Sequence, residues 1–205
     1  MKNYLTELFG TFFLVLIIGI NANPLAIGFG LMVLIYLGFH VSGAHYNPIV
    51  TLAMLFRKEI SLFDSINYII FQILGATLAG SAVFFLSSVT MEVQPNLSAT
   101  VYQILGYEVL FTYLYVYAFL TVTSHTKLKN NSFYGLVLGS AFMVGSFSAI
   151  QTSGGVFNPA TSVGVSLSHL FIGDGVSKYY LWYYLVGPAL GGLIATAHYS
   201  LISIK

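Results

Sequence analysis

Apolar residues run through this chain in long unbroken segments, and polar residues gather in the short intervals between them. Six segments approach the roughly 17 to 25 residues that a helix needs to cross a bilayer: Tyr4 to Ile20, Leu25 to Val41, Ile66 to Ser88, Val101 to Thr123, Phe133 to Ile150 and Tyr179 to Ile202. Two further apolar stretches, Pro48 to Phe56 and Pro159 to Leu170, are too short to span and read as re-entrant half-helices. Turn-forming intervals lie between them: Asn21-Ala22-Asn23-Pro24, Glu92 to Ala99, Ser124 to Ser132 and Gly173-Asp174-Gly175. The pattern predicts an all-α membrane protein with six transmembrane helices and two half-helices. The first segment is longer than a signal-peptide core and no small-residue cleavage site follows it, so it is expected to stay as the first span.

Both half-helices open on the same frame, Ser42-Gly43-Ala44-His45-Tyr46-Asn47-Pro48-Ile49 and Ser153-Gly154-Gly155-Val156-Phe157-Asn158-Pro159-Ala160, 111 positions apart (158 minus 47). Asn caps free N–H groups at a helix start and Pro fits the first helical position. Two helices therefore begin at membrane depth, where non-helical backbone is tolerated only inside protein or against a watery cavity. A pore is implied. Asn23-Pro24 lacks the Ser-Gly approach and is expected to be only a turn.

The chain also repeats itself. Glu7-Leu-Phe-Gly-Thr matches Glu108-Val-Leu-Phe-Thr at an offset of 101 (108 minus 7), and Gln72-Ile-Leu-Gly matches Tyr184-Leu-Val-Gly at 112 (184 minus 72). One channel-like domain over 1–205 thus divides into repeats over 1–100 and 101–205, each with three spans and one half-helix. An odd number of spans inverts the second repeat relative to the first. The two half-helices then enter from opposite faces, and their N-terminal ends, each about half a positive charge, meet near the midplane.

Charge adds orientation and removes alternatives. Only 6% of residues are charged, against roughly 25% in a soluble domain, and the mean hydropathy is +0.86. Lys2, Arg57, Lys58, Lys127, Lys129 and Lys205 fall on one side of a six-span chain and Lys178 on the other. The positive-inside rule makes both termini cytoplasmic, in a plasma or an internal membrane. A net charge of +1 offers no field for nucleic acid. With no cysteine there is no disulfide frame or thiolate site.

On Ser42-Gly-Ala-His-Tyr-Asn-Pro-Ile-Val-Thr51, Asn158-Pro-Ala160, the paired Glu7 and Glu108, and Gly187-Pro-Ala-Leu-Gly191, the whole chain resembles the aquaporin and glycerol-facilitator channels, the major intrinsic proteins. The resemblance implies a homotetrameric, non-enzymatic channel without cofactor or metal that passes water or small uncharged solutes such as glycerol, urea, ammonia or hydrogen peroxide. Asn47 and Asn158 would donate hydrogen bonds to the passing solute. Carbonyls of Gly43, Ala44, His45 and Tyr46, and of Gly154, Gly155, Val156 and Phe157, would form an acceptor ladder.

Other polar and aromatic residues have local explanations. Intramembrane carboxylates are costly unless tied to donors, so Glu7 and Glu108 are expected to brace the re-entrant loops, with proton relay the alternative. His40 and His45 are read as bracing the first loop rather than as a metal or pH site. Tyr179, Tyr180, Trp182, Tyr183 and Tyr184 are read as an interfacial aromatic belt, and Gly75 with Ala79 and Gly187 with Gly191 as close-packing faces.

Departures from the family pattern bear on the solute. Relatives carry Arg three residues after the second Asn; here Thr161 stands there, and the chain's only arginine is Arg57. Carried over from the family by ungapped spacing from each asparagine, the resemblance implies Ile27, Ser146 and Gly155 as the other filter positions, with Phe29 a near alternative to Ile27. The quartet has no aromatic and no charge, so a wider filter is expected. Ile49 replaces the usual Ala after Asn-Pro. An inverted-repeat transporter is the first rival, although no span carries clustered carboxylates for a coupling ion. A closed structural protein, its centre plugged by Ile49 and Phe157, is the second.

Overall fold

In the computed structural model, which describes residues 1–128, 130–173 and 175–203, every apolar segment named above is helical. Lys129, Asp174 and Lys205 lie outside the described residues. The helices are α1 (Lys2–Ile20), α2 (Pro24–Ser42), α3 (Pro48–Phe56), α4 (Leu62–Ser87), α5 (Val101–Ser124), α6 (Tyr134–Ala149), α7 (Pro159–Ile172) and α8 (Leu181–Ile202), with a 3-10 turn at Ser177–Tyr179. Local chemistry sets most of the starts. Thr100 and Gln103 form a reciprocal capping box on α5. Ser61 accepts from the Asp64 N–H, so α4 begins four residues before its apolar run.

Asn23 is more than a turn residue: its side chain caps α2, accepting the Leu25 N–H at 2.9 Å, with Pro24 as first helical residue. The cap is the same chemistry as at Asn47 and Asn158, but here it is exposed at the edge of a span.

Five helices, α1, α2, α4, α5 and α8, are long and apolar enough to cross a membrane. α6, at 16 residues, is the short sixth, covering roughly 24 Å at 1.5 Å per residue. Polarity runs inside out relative to a soluble protein. Phe29, Phe85, Leu110 and Leu193 are exposed on the outside, while Glu7, Gln72, Glu108, Asn47 and Asn158 are buried. Lipid solvates the former; hydrogen bonds must satisfy the latter.

The two repeats pack alike. α1 lies on α4 as α5 lies on α8, and α2 meets α6 between the repeats. Lipid exerts no hydrophobic pressure between helices, so close approach depends on small residues. A methyl on Gly75 would strike the backbone of Leu8 and Phe12 in α1, and one on Gly191 the backbone of Val109 and Tyr113 in α5. Half-helix α3 is wedged against α4, α5 and α8, and α7 against α4 and α8, so each touches both repeats.

Candidate functional site: two re-entrant loops and an outer vestibule

The loops that precede α3 and α7 follow one backbone path. Gly43, Ala44 and Tyr46 have φ of 82°, 50° and 48°, and their counterparts Gly154, Gly155 and Phe157 have 90°, 64° and 50°. Left-handed conformations at Ala, Tyr and Phe are unfavourable by themselves and persist only where the surroundings hold them.

What holds them is a buried carboxylate under each loop. Glu7 Oε1 accepts from Ser42 Oγ at 2.6 Å and the His45 N–H at 3.0 Å; Oε2 accepts from the Tyr46 N–H at 2.7 Å and Gln72 Nε2 at 2.8 Å. Glu108 Oε1 accepts from Ser153 Oγ at 2.7 Å and the Val156 N–H at 3.1 Å, and Oε2 accepts from the Phe157 N–H at 2.8 Å. Backbone N–H groups that would be unpaired at membrane depth thus find carboxyl oxygens as acceptors.

The loop ends lock onto each other. Asn47 Oδ1 caps α3 by accepting the Ile49 N–H at 2.9 Å, and its Nδ2 donates to the Phe157 carbonyl at 2.9 Å. Asn158 Oδ1 accepts the Ala160 N–H at 3.0 Å, and its Nδ2 donates to the Tyr46 carbonyl at 2.8 Å. An amide nitrogen carries two hydrogens, so each asparagine keeps one for another acceptor. The Tyr46 and Phe157 carbonyls each accept an asparagine amide, which sets them apart from the other carbonyls of the approaches.

The four residues expected at the filter converge although they come from three helices and a loop. Ile27, Ser146, Gly155 and Thr161 line one cavity of about 350 Å³, together with Val156 and the segment Val89 to Gln94. Ser146 Oγ and Thr161 Oγ1 are buried and have no protein partner. Gly155 sits against Ser146, where an added Cβ would stand 3.4 Å from Ser146 Cα. Phe29 faces the outer flank of α2, in a groove with Phe9, Phe13 and Ile17. Glu92 ties the cavity's covering segment down by accepting from Ser177 Oγ at 2.7 Å and the Ser177 N–H at 3.0 Å, while His169 Nε2 lies 3.0 Å from the Met91 carbonyl.

Neither residue named as a plug points at the asparagine tips. Ile49 turns its branched end onto Gly192 of α8, where any side chain would collide with it. The Phe157 ring packs against Phe111 and Phe142, with centroids 5.9 and 5.7 Å away. Pro48 and Pro159 are first residues of their helices, and Ala160 is fully buried.

Two other residues depart from their expected settings. His40 is exposed in the last turn of α2 and takes no part in the loop's hydrogen bonds among the described residues. Tyr184 leaves the aromatic belt: it is wholly buried and donates to the Ser153 carbonyl at 2.7 Å, because the belt's helical turn carries its last member inward.

The supporting residues to which the motifs assigned no role are Gln72, quoted only in the repeat match, and Tyr68. Tyr68 donates to the Ser42 carbonyl at 2.9 Å, and Gln72 Nε2 also reaches Thr51 Oγ1 at 3.0 Å, which lies 3.1 Å from His45 Nδ1. A buried glutamine in an apolar span was the available signal for the first of these.

Comparison with known proteins agrees with this architecture. The family model described as major intrinsic protein matches residues 1–199. Glycerol uptake facilitator protein-like 6 of Lactiplantibacillus plantarum is 36% identical, covering 95% of this chain and 95% of its own length. Aquaporin-1 of Homo sapiens is 32% identical, with 87% of this chain and 66% of its own length covered. The aquaglyceroporin from Plasmodium falciparum has the same fold, with a TM-score of 0.84 over 97% of this chain and 94% of the other at 22% identity.

Proposed function

We propose, from the premise that this chain belongs to the major intrinsic protein family, that it is a passive channel for small uncharged solutes, with glycerol-sized polyols passing as well as water. The observation that carries this reading is the outer cavity. Ser146 and Thr161, whose hydroxyl oxygens are buried and lack protein partners, line this space together with Ile27. A polyol can satisfy such hydroxyls along one edge and lay its carbons on the apolar side. Unmet buried polar groups cost about 1 to 3 kcal/mol each, so a hydroxylated solute relieves them.

Deeper in, Asn47 and Asn158 offer their remaining amide hydrogens to the solute, and the carbonyls of Gly43, Ala44, His45, Gly154, Gly155 and Val156 act as stepping acceptors. Two donors at the midplane orient a water chain so that it does not relay protons. Two helix ends of about half a positive charge each oppose cations. Replacing a guanidinium by Thr161 removes a barrier of roughly 4 kcal/mol at 4 Å and an effective dielectric of 20, so cation exclusion here rests on those helix ends alone. In this reading the basic residues Arg57, Lys58 and Lys127 favour cytoplasmic termini by the positive-inside rule, and the family likeness favours a working assembly of four copies.

Stopped-flow light scattering on proteoliposomes, with water, glycerol, urea and hydrogen peroxide as separate solutes, tests the reading. Non-saturating glycerol flux without ion coupling is expected. Saturation or ion dependence would indicate alternating access, and no flux of any solute would overturn the channel.

A further inference from the structure

A second cavity system lies on the lipid-facing flank of the fold, outside the pore loops. At the end where α3, α5 and α8 terminate, a cleft of about 230 Å³ is lined by Arg57, Ser124, His125, Lys127, Tyr199 and Ser203. Arg57, the chain's only arginine, lays its guanidinium 5.1 Å from the Tyr199 ring centroid, and its Nε is buried without a hydrogen-bond partner. Among the described residues the only ion pair is the distant His169–Glu92 contact at 4.0 Å, and neither Arg57 nor Lys127 has a carboxylate partner among them.

One helical turn away, an apolar groove of about 220 Å³ runs between α3 and α8, bounded by Ile49, Phe56, Ala189, Leu193 and Thr196. Phe56 adjoins Arg57 in sequence, and Thr196 stands one turn before Tyr199, so groove and cleft follow one another along the same two helices. Cations at an interfacial depth, followed toward the membrane centre by an open apolar channel, match an anionic headgroup followed by an acyl chain.

We propose that this cleft and groove bind one anionic phospholipid of the adjoining leaflet, its phosphate on Arg57 and Lys127 and an acyl chain between α3 and α8. The choice of a lipid over a soluble anion rests on the succession of the charged cleft and the apolar groove along α3 and α8. Three helix C-termini converge there and bring partial negative charge, and Glu59 is nearby in sequence. The cations must therefore act together, and a free phosphate without a chain gains little. The bound chain touches Ile49, two residues from Asn47, so the lipid also supports the half-helix that carries the pore asparagine.

The test uses the full chain purified in a neutral detergent and examined by native mass spectrometry during titration with palmitoyl-oleoyl phosphatidylglycerol or phosphatidylcholine. Phosphatidylglycerol should bind more tightly than phosphatidylcholine. Arg57→Gln and Lys127→Gln should each weaken it about fivefold. Ala189→Phe, which fills the groove from an exposed position, should lower occupancy with both charges intact. Lys178→Gln, at the opposite end of the fold, should change nothing. Equal binding of the two lipids, or phosphatidylglycerol binding that survives both Arg57→Gln and Ala189→Phe, overturns the site. Competition by millimolar inorganic phosphate would assign the cleft to a soluble anion instead. Variants are compared only where they melt like the parent in lipid-free detergent, and Ala189→Phe, which alters no charged or core residue, keeps the test decisive if Arg57→Gln does not.

Discussion

The two re-entrant loops reach the same backbone shape by different means. Under the first, Glu7 gathers four donors, including the side chain of Gln72, and Gln72 extends through Thr51 toward His45. Under the second, Glu108 gathers three; Tyr184 stands in the sequence place of Gln72 but bonds the Ser153 carbonyl, as Tyr68 bonds the Ser42 carbonyl under the first loop, and His45 is replaced by Val156. The second loop relies more on shape, with Phe157 lodged between Phe111 and Phe142. It also borders the cavity lined by Ile27, Ser146 and Thr161, through Gly154, Gly155 and Val156. What both loops share is the carboxylate and the crossed asparagines. The surrounding polar network is adjustable, and the loop that lines the vestibule is the one with fewer polar supports.

Removing the shared element should have the largest effect. Glu7→Ala strands four donors and Glu108→Ala three, and each charge-assisted bond contributes about 1.5 to 3 kcal/mol. Both variants should lose most of their folded yield, Glu7→Ala more completely, as judged by monodispersity on size exclusion. Equal losses would show that the number of donors does not govern loop stability. Glu108→Gln should keep the shape at lower thermal stability. A stable Glu108→Gln protein that had lost only pH-dependent transport would favour proton relay.

Next in size is the crossed pair. Asn158→Asp replaces the donor to the Tyr46 carbonyl with an acceptor and places negative charge between the helix ends. Solute flux should fall by about tenfold or more, which corresponds to roughly 1.4 kcal/mol of added barrier, and cation leak should rise. Unchanged flux and ion exclusion in intact protein would remove Asn158 from the solute path.

Thr161→Arg sharpens the comparison on the vestibule side. An arginine there narrows the cavity and adds a full positive charge, so glycerol and urea permeability should drop more than water permeability, and residual cation leak should shrink. An intact variant that passes every solute and ion as before would show that Thr161 does not line the narrowest point.

The smallest effects separate the adjustable supports. Tyr184→Phe deletes one neutral hydrogen bond, about 0.5 to 1.5 kcal/mol, whereas Gln72→Leu removes bonds to both Glu7 and Thr51 and should cost about 1.5 to 3 kcal/mol. Thermal melting in detergent checks the order. A larger loss in Tyr184→Phe would mean that the second loop depends on its polar contact more than on the packing of Phe157.

Much of the molecule was legible in its residues. Helix existence follows from apolar length, helix starts follow from Asn-Pro, Ser and Thr caps, and the inverted pairing follows from two matching motifs separated by an odd number of spans. Those signals are local: a cap acts over three residues and a span over about twenty. Membrane solvation strengthens them, because a backbone in lipid has few alternatives to a helix.

What only the tertiary structure decided is where side chains of equal local character point. Asn23, Asn47 and Asn158 make the same cap, yet only the latter two are buried and crossed, because α3 and α7 are wedged between the repeats. Ile49 faces Gly192 rather than the pore centre, and Tyr184 lies beneath a loop rather than in the belt, because helix packing sets each rotation. Ser146 and Thr161 stand fifteen positions apart (161 minus 146) and face one cavity. The chain alone supplies the chemistry of each cap and carboxylate. Their convergence depends on contacts between segments distant in sequence, which no local pattern encodes.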